Sequence, residues 1–315
     1  MVLKELQYPF RMKQNEVLLR RLLKDHIKRK EIEEDQAKRK AGYKGEQNLS
    51  YYLNFLPEEY DVIRDIRLVN EHGHGFQMDT LLLCPRYILI SDVKNILGTL
   101  YFDKESEQFI RTINEKEEGF SNPINQVERH HIQLKNWLQK NKLPLLPIEH
   151  RVIISYPSSI IRSNNPQIYQ KVFHAEHLPN KIITIEKLYN DPIDQKEYRK
   201  LTRTLLKHDT PLKLDILQHY GIDPKEIITG VQCPACEFIH MNYRHGIWKC
   251  PSCQETLNNA HHKAIEDYFT IMGQTITNEQ CREFLRIESR NVARSLLLGM
   301  KLKQSGTTKN KTYHL

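Results

Sequence analysis

Three residues in the first third of the chain have types and a spacing suited to chemistry. Asp79 stands just before a short apolar run, residues 80–84 (TLLLC), and Asp92-Val93-Lys94 follows a second run, residues 87–91 (YILIS). Pro85-Arg86 between the runs marks a β-hairpin. A loop centred there sets Asp79 directly across from Asp92, and like charges opposed across a strand pair are destabilising. A bound cation, or the Lys94 ammonium, would offset that repulsion. Side chains alternate along a strand, so Asp92 and Lys94 share a face with Ile88 and Ile90. Mg²⁺ is a hard cation that takes one or two carboxylates together with waters and phosphate oxygens. Held by Asp79 and Asp92, it would polarise a scissile phosphate and help to generate hydroxide. Lys94 could orient the attacking water or stabilise developing charge. The competing reading makes the aspartates strand-end residues and Lys94 a solvated ion-pair partner, because short motifs also arise by chance.

A second constellation is Cys233-Pro-Ala-Cys236 with Cys250-Pro-Ser-Cys253. Two such pairs, separated by a finger-sized loop, predict a tetrahedral Cys₄ Zn²⁺ site with no open position, hence structural rather than catalytic. A proline after the first cysteine of each pair favours the tight turn that aims both sulfurs at one metal. The loop between them predicts a hairpin that packs Tyr243 and Trp248 over the site. The competing readings are disulfides, which a reducing cytoplasm disfavours, and free redox thiols. Cys84 and Cys281 lie in apolar or helical surroundings and are expected to be plain buried residues.

The bulk properties narrow the setting. A chain of 315 residues predicts two or three domains at roughly 100–200 residues each. Hydrophobic content of 39% with 27% charged residues describes a polar-surfaced protein, and no uninterrupted apolar run reaches the roughly 18 residues of a membrane span. The opening MVLKELQYPFRMKQNE lacks the apolar core of a secretion signal, so a cytoplasmic location without membrane contact is expected. A formal net charge of +8 favours nucleic acid or another polyanion as partner. The sequence leaves the oligomeric state open.

Periodicity places these residues on elements. Residues 17–44 read as a charged helix that frays at Gly42: a surface helix, or a basic arm touching phosphates. Gly45-Glu46 then opens a second helix that ends at Pro57, with Glu46, Leu49, Leu53 and Leu56 on one stripe. A carboxylate on an inward face is costly unless it is paired or ligates metal; a first-turn glutamate favoured by the helix dipole is the alternative. Residues 60–68, 99–103, 108–111, 151–155 and 181–185 read as strands, and residues 71–75, with His72 and His74, as a turn. Asn122-Pro123 caps a helix running to Gln139. Gln126, His130 and Gln133 flank its apolar stripe, where they could reach a phosphate or metal-bound water, or face solvent. Residues 191–230 read as helices broken near residues 208–211 and 221–224.

Taken together, these residues resemble the nuclease-related domain (NERD) family over residues 43–189. The matching features are Gly45-Glu46 at a helix start, Gln77-x-Asp79 before a strand, Asp92-Val93-Lys94-Asn95 followed by Gly98, and Asn122-Pro123-x-x-Gln126. The resemblance implies a restriction-endonuclease-like fold, a mixed α/β sheet flanked by helices, and a role in DNA processing. It also implies an active-site set of Glu46, Asp79, Asp92 and Lys94, with Gln126 in support. The family usually has Glu where this chain has Asp92, and often His where it has Thr80; Asp is one methylene shorter in the same ligating role.

The last part, residues 260–315, predicts three helices capped at Thr277-Asn278 and Ser289, followed by a small hairpin. That order is similar to winged helix-turn-helix domains, whose third helix enters the major groove of DNA. Here it would present Arg290, Asn291 and Arg294, with Lys309 and Lys311 on the wing meeting phosphates. A helical module for protein contacts is the alternative. The expected organisation is thus an N-terminal helical arm (1–42), a nuclease-like domain (43–190), a helical linker (191–230), a zinc ribbon (231–258) and a winged-helix-like domain (260–315). The leading expectation is a Mg²⁺-dependent hydrolase acting on DNA. The rivals are a DNA-binding or regulatory protein with an inactive core, and an RNA-directed enzyme.

Overall fold

Three consecutive strands frame the region that matters most. Asp61–Val69, Gly75–Leu83 and Ile88–Lys94 run antiparallel one to the next, with Leu83 opposite Ile88 and Thr80 opposite Ser91. The hairpin is therefore the expected one, and one step further along its register stand Asp79 and Asp92. Their apolar residues are buried on both faces, which explains near-continuous runs such as TLLL and YILI.

This computed structural model describes residues 1–307 and 311–315; Lys309, expected on the wing, lies outside the described residues. The chain forms two units, residues 1–8 with 39–213 and residues 9–38 with 214–315. The helix Arg29–Leu53 contributes residues to both.

In the first unit the three strands belong to a six-stranded mixed sheet, in the order Val2–Lys4, Asp61–Val69, Gly75–Leu83, Ile88–Lys94, Ile148–Ile154 and Val172–His174. The last two run parallel to Ile88–Lys94. One side of the sheet packs against the helices Pro123–Lys140 and Gln195–Lys207 through Leu134, Trp137, Leu138, Leu201 and Leu205. The other packs Leu82, Leu89 and Ile153 against Leu49, Ile182 and Ile185. A second sheet of four strands, Lys116–Phe120, Phe109–Ile113, Thr99–Phe102 and Ile160–Ser163, follows the hairpin. The unit is mixed α/β, as expected.

Several local expectations are corrected. Residues 181–185 (KIITI) are not a strand but lie in the helix Leu178–Glu186, which has proline at its start. Leu178, Ile182 and Ile185 are its buried residues, and their spacing of four and three is a helical stripe, which a five-residue window of β-branched residues conceals. The first long helix is Phe10–Arg21, and it stops there rather than at Gly42. Arg21 is held by the buried Asp267 carboxylate at 2.8 Å and by the Ile228 and Gly230 carbonyls. Gly42 and Gly45 lie inside the continuous helix Arg29–Leu53, so Gly45-Glu46 does not open a helix.

The second unit has one apolar core, shared by Val17, Leu18, Trp248, Ile265, Phe284 and Leu297 among others. A three-stranded sheet, Asn242–Arg244, Ile247–Lys249 and Thr256–Leu257, is followed by the helix His261–Ile271. Next come a short strand Ile276–Thr277, helices Asn278–Leu285 and Arg290–Gly299, and strands Lys303–Ser305 and Thr312–His314. The two final strands pair with each other, and Thr312–His314 also pairs with Ile276–Thr277. That third strand escaped the sequence reading because two residues carry no periodicity. Among the described residues, no helix is long and apolar enough to cross a membrane.

Candidate functional site

The hairpin sets its acidic residues just beyond its last paired residues, Thr80 and Ser91, with Asp79 in the middle of Gly75–Leu83 and Asp92 two residues before the end of Ile88–Lys94. Asp92 is 2% exposed. Its Oδ2 lies 2.8 Å from Lys94 Nζ, and its Oδ1 accepts a hydrogen bond from Gln126 Nε2 at 2.9 Å. Gln126 Oε1 in turn accepts from Lys94 Nζ at 3.1 Å. One glutamine from the helix Pro123–Lys140 thus fixes both the carboxylate and the ammonium. Asn122 supports it from the helix start, where its side chain accepts from the Ile124 N–H. Asp79 reaches across the hairpin, and its Oδ2 accepts from the Val93 N–H at 2.8 Å. Asp79, Asp92, Lys94 and Gln126, named from sequence, therefore meet at one place.

Glu46 joins them from the long helix. It sits deep inside that helix, so a favourable helix dipole at the first turn does not account for it. Gly45 explains its approach. A Cβ at that position would lie 2.5 Å from Asn95 Cβ and 2.6 Å from Ser155 Oγ, so only glycine lets the helix backbone rest on the ends of the two parallel strands. Gly45→Ala should therefore reverse the usual helix preference of about 1 kcal/mol for alanine. Overpacking predicts a net loss of about 1–3 kcal/mol, measurable by urea unfolding; a gain in stability would contradict this placement.

Electrostatics bind the carboxylates into one group. Burial, followed by the charges of Asp79, Asp65 and Asp92, pushes the Glu46 carboxyl up to about 8 against the pull of Arg64. Burial and the Asp92 charge push Asp79 up to about 7, although the Val93 N–H and Lys94 oppose the shift. Both groups bind protons more tightly in the folded chain than unfolded. Their contribution to stability is therefore present below about pH 4 and is lost as pH rises through 7 and 8. Asp79→Asn removes one of these charges. It is expected to stabilise the metal-free protein by about 1–3 kcal/mol at pH 8, discounted from the full linkage value because the group is partly exposed. Near pH 4 the difference should vanish. Urea titrations of both proteins at the two pH values test this, and a destabilised variant at pH 8 would refute the charge crowding.

Two neighbours were missed from sequence. Arg64, 2% exposed, donates to the Glu46 carbonyl at 2.8 Å and to Ser50 Oγ at 3.1 Å, so it anchors the turn of helix that carries Glu46. Asp65 is in the left-handed region at φ 51°, its carboxylate accepts from Gln77, and its charge acts on both Glu46 and Asp79. The available signal was Arg64-Asp65 set between the apolar pairs Val62-Ile63 and Ile66 with Leu68. His130, one turn beyond Gln126, feels both Asp92 and Lys94, and burial lowers its pKa.

In the second unit Cys233, Cys236, Cys250 and Cys253 are positioned to bind a metal ion, with all four sulfurs within 4.8 Å of one another. The pairs Cys233–Cys253 and Cys236–Cys250 are each 3.6 Å apart. A tetrahedron with Zn–S bonds of about 2.3 Å has edges of about 3.8 Å, so the set is compatible with structural zinc. The two knuckles repeat each other. Glu237 N–H donates to the Cys233 carbonyl and Gln254 N–H to the Cys250 carbonyl, each at 3.0 Å. Glu237 and Gln254 both lie in the left-handed region, at φ 59° and 65°. Among the described residues, no group of carboxylates or histidines converges to the cysteine spacing. Cys84 and Cys281 are buried and stand apart from the set.

Arg290, Asn291, Arg294 and Lys311 line one cleft of about 730 Å³, together with Asn278 and Arg282. Lys311 Nζ sits 5.6 Å from the centre of the Tyr313 ring. Arg282, from the preceding helix, had not been singled out from sequence.

No match to the chain was found among curated proteins or among solved structures. A family model does match part of it: residues 41–155, which carry Glu46, Asp79, Asp92, Lys94 and Gln126, are similar to the family described as NERD, nuclease-related domain.

Proposed function

We propose that the first unit is a Mg²⁺-dependent nuclease of restriction-endonuclease-like fold, acting on DNA. The observation that carries this reading is the joint hold of Gln126 on Asp92 and Lys94 beside the crowded carboxylates Asp79 and Glu46. Asp79 and Asp92 are hard oxygen donors on adjacent strands, and a site of one or two carboxylates completed by waters and phosphate is what Mg²⁺ prefers. Their mutual repulsion is the term a divalent cation would relieve. When bound there, the ion would polarise the scissile phosphate. Lys94 positions the attacking water and meets charge developing on the phosphate. Gln126 keeps Lys94 and Asp92 in register, and Arg64 with Gly45 holds the helix that carries Glu46 close by.

The four cysteines of the second unit would hold zinc in a ribbon. The element order from His261 onward, helix, strand, helix, helix and two paired strands, supports a winged helix with Arg290–Gly299 as its recognition helix. Arg290, Asn291, Arg294 and Lys311 would then contact DNA, as would Lys309 by its place in the sequence. Incubation of the full chain with single- and double-stranded DNA and RNA, with and without Mg²⁺, tests the reading. Mg²⁺-dependent cutting of DNA is the expected result; cutting of RNA alone, or of nothing, would overturn it.

A further inference from the structure

We infer that the exposed face of the sheet beside the cysteine knuckles is a second nucleic-acid surface, which grips phosphates without reading bases. The inference rests on the reading that the second unit binds nucleic acid, and adds a place and residues to it. The strands Asn242–Arg244 and Ile247–Lys249 pair with Tyr243 opposite Trp248. Trp248 is buried, its Nε1 donating to His261 Nδ1 at 3.1 Å, and Tyr243 and Leu257 pack on the same core. Alternation therefore turns Asn242, Arg244, Ile247, Lys249 and Thr256 outward, and all are exposed. With His245 they line an open cleft of about 490 Å³ that, among the described residues, no carboxylate lines.

The charge on this face is unopposed, unlike that of Lys28 and Arg29, which lie 3.0 Å from Glu31 and Glu33. Among the described residues, Arg244 and Lys249 form no ion pair and no side-chain hydrogen bond. Arg244 stands opposite Ile247 and Lys249 opposite Asn242, so the two cations are diagonal neighbours, about 7–8 Å apart along the sheet. Two unpaired cations so spaced, with amide and hydroxyl groups beside them, fit successive phosphates of one strand. The hairpin turn is stiff, with His245 at φ 49° and Gly246 at φ 84°, as a two-residue turn of this hand requires. Trp248 belongs to the core that also holds Phe284 and Leu297, so this face and the cleft at Arg290–Gly299 are built on the same core.

The test is fluorescence anisotropy of a labelled DNA duplex and its single strand, titrated with the full chain in an Asp79→Asn background at several salt concentrations. Arg244→Ala/Lys249→Ala should weaken binding about tenfold at physiological salt. It should reduce the log–log salt slope by about 1.4–1.8, two phosphate contacts' worth. Arg244→Lys/Lys249→Arg keeps both charges and should retain most of the affinity. Zinc content and unfolding midpoint report whether each variant is folded. Unchanged affinity and slope in the folded alanine variant, while Arg294→Ala weakens binding, would overturn this inference alone. No binding by the parent chain would overturn the nucleic-acid reading of the whole unit, and this inference with it.

Discussion

Lys94→Ala should reduce Mg²⁺-dependent cleavage by about 10²–10³-fold, the range for loss of one preorganised charge at a reacting centre. Asp79→Asn should do at least as much, because it removes a hard oxygen donor. Gln126→Ala should cost less, about 10–100-fold, as expected of a residue that orients others; it bonds to both Asp92 and Lys94. Ordinary active-site knockouts leave open whether the variant merely misfolded. Here the crowding that pushes Asp79 up to about 7 makes opposite predictions for activity and stability. Asp79→Asn should be inactive and, without metal at pH 8, more stable than the parent. The same variant should also lose part of any rise in melting temperature that Mg²⁺ gives the parent, since ligand stabilises only through sites it occupies. Initial rates on a labelled duplex and melting curves with and without Mg²⁺ supply both readouts. A folded Lys94→Ala or Asp79→Asn protein that cuts at the parental rate would remove the catalytic assignment.

What could be read from sequence followed the distance over which each cause acts. The hairpin was legible because Pro85-Arg86 and the two runs beside it are local, and their register alone brings Asp79 toward Asp92. The knuckles were legible because Cys-Pro-x-Cys is itself a local geometry. Gly45 was misread for the opposite reason. Within the sequence a glycine beside a glutamate resembles a helix start, whereas its cause is contact with Asn95 and Ser155, which are distant in the chain. The Phe10–Arg21 helix likewise ends where Leu22 turns extended and the Arg21 carbonyl accepts from the distant Ile228 N–H at 2.7 Å, and no window of neighbours carries that information. Asp65 belongs to the same class: its unusual backbone conformation and its bond to Gln77 come from pairing between strands. At the candidate site the residue types were thus visible in advance, and the long-range packing that moves Glu46 up to them was not.

Removing the metal from the four cysteines should unfold the sheet they hold. Structural zinc sites of this kind contribute roughly 10–16 kcal/mol of apparent binding free energy at neutral pH, comparable with or larger than the whole stability of an ordinary domain. The sheet beside the four cysteines has little to offset that loss. Its three strands are short, and Cys233 and Cys250 are themselves buried members of the core. Trp248 reports the event, because it is 1% exposed and stacks near His261 with ring centres 6.1 Å apart. In a Trp137→Phe background, a strong chelator should shift Trp248 emission to that of a solvated indole, and added Zn²⁺ should restore it. Cys236→Ser should behave like the chelated protein without any chelator. Acid should act in the same direction, since thiolates must be protonated as the metal leaves, and the burial that holds His261 down to about 4 adds to it. A histidine so depressed supports the fold above about pH 6.5 and ceases to as pH falls through 4. Metal analysis should find one zinc per chain in the parent. Unchanged Trp248 emission after complete metal removal would show that the core, not the four thiolates, holds this sheet.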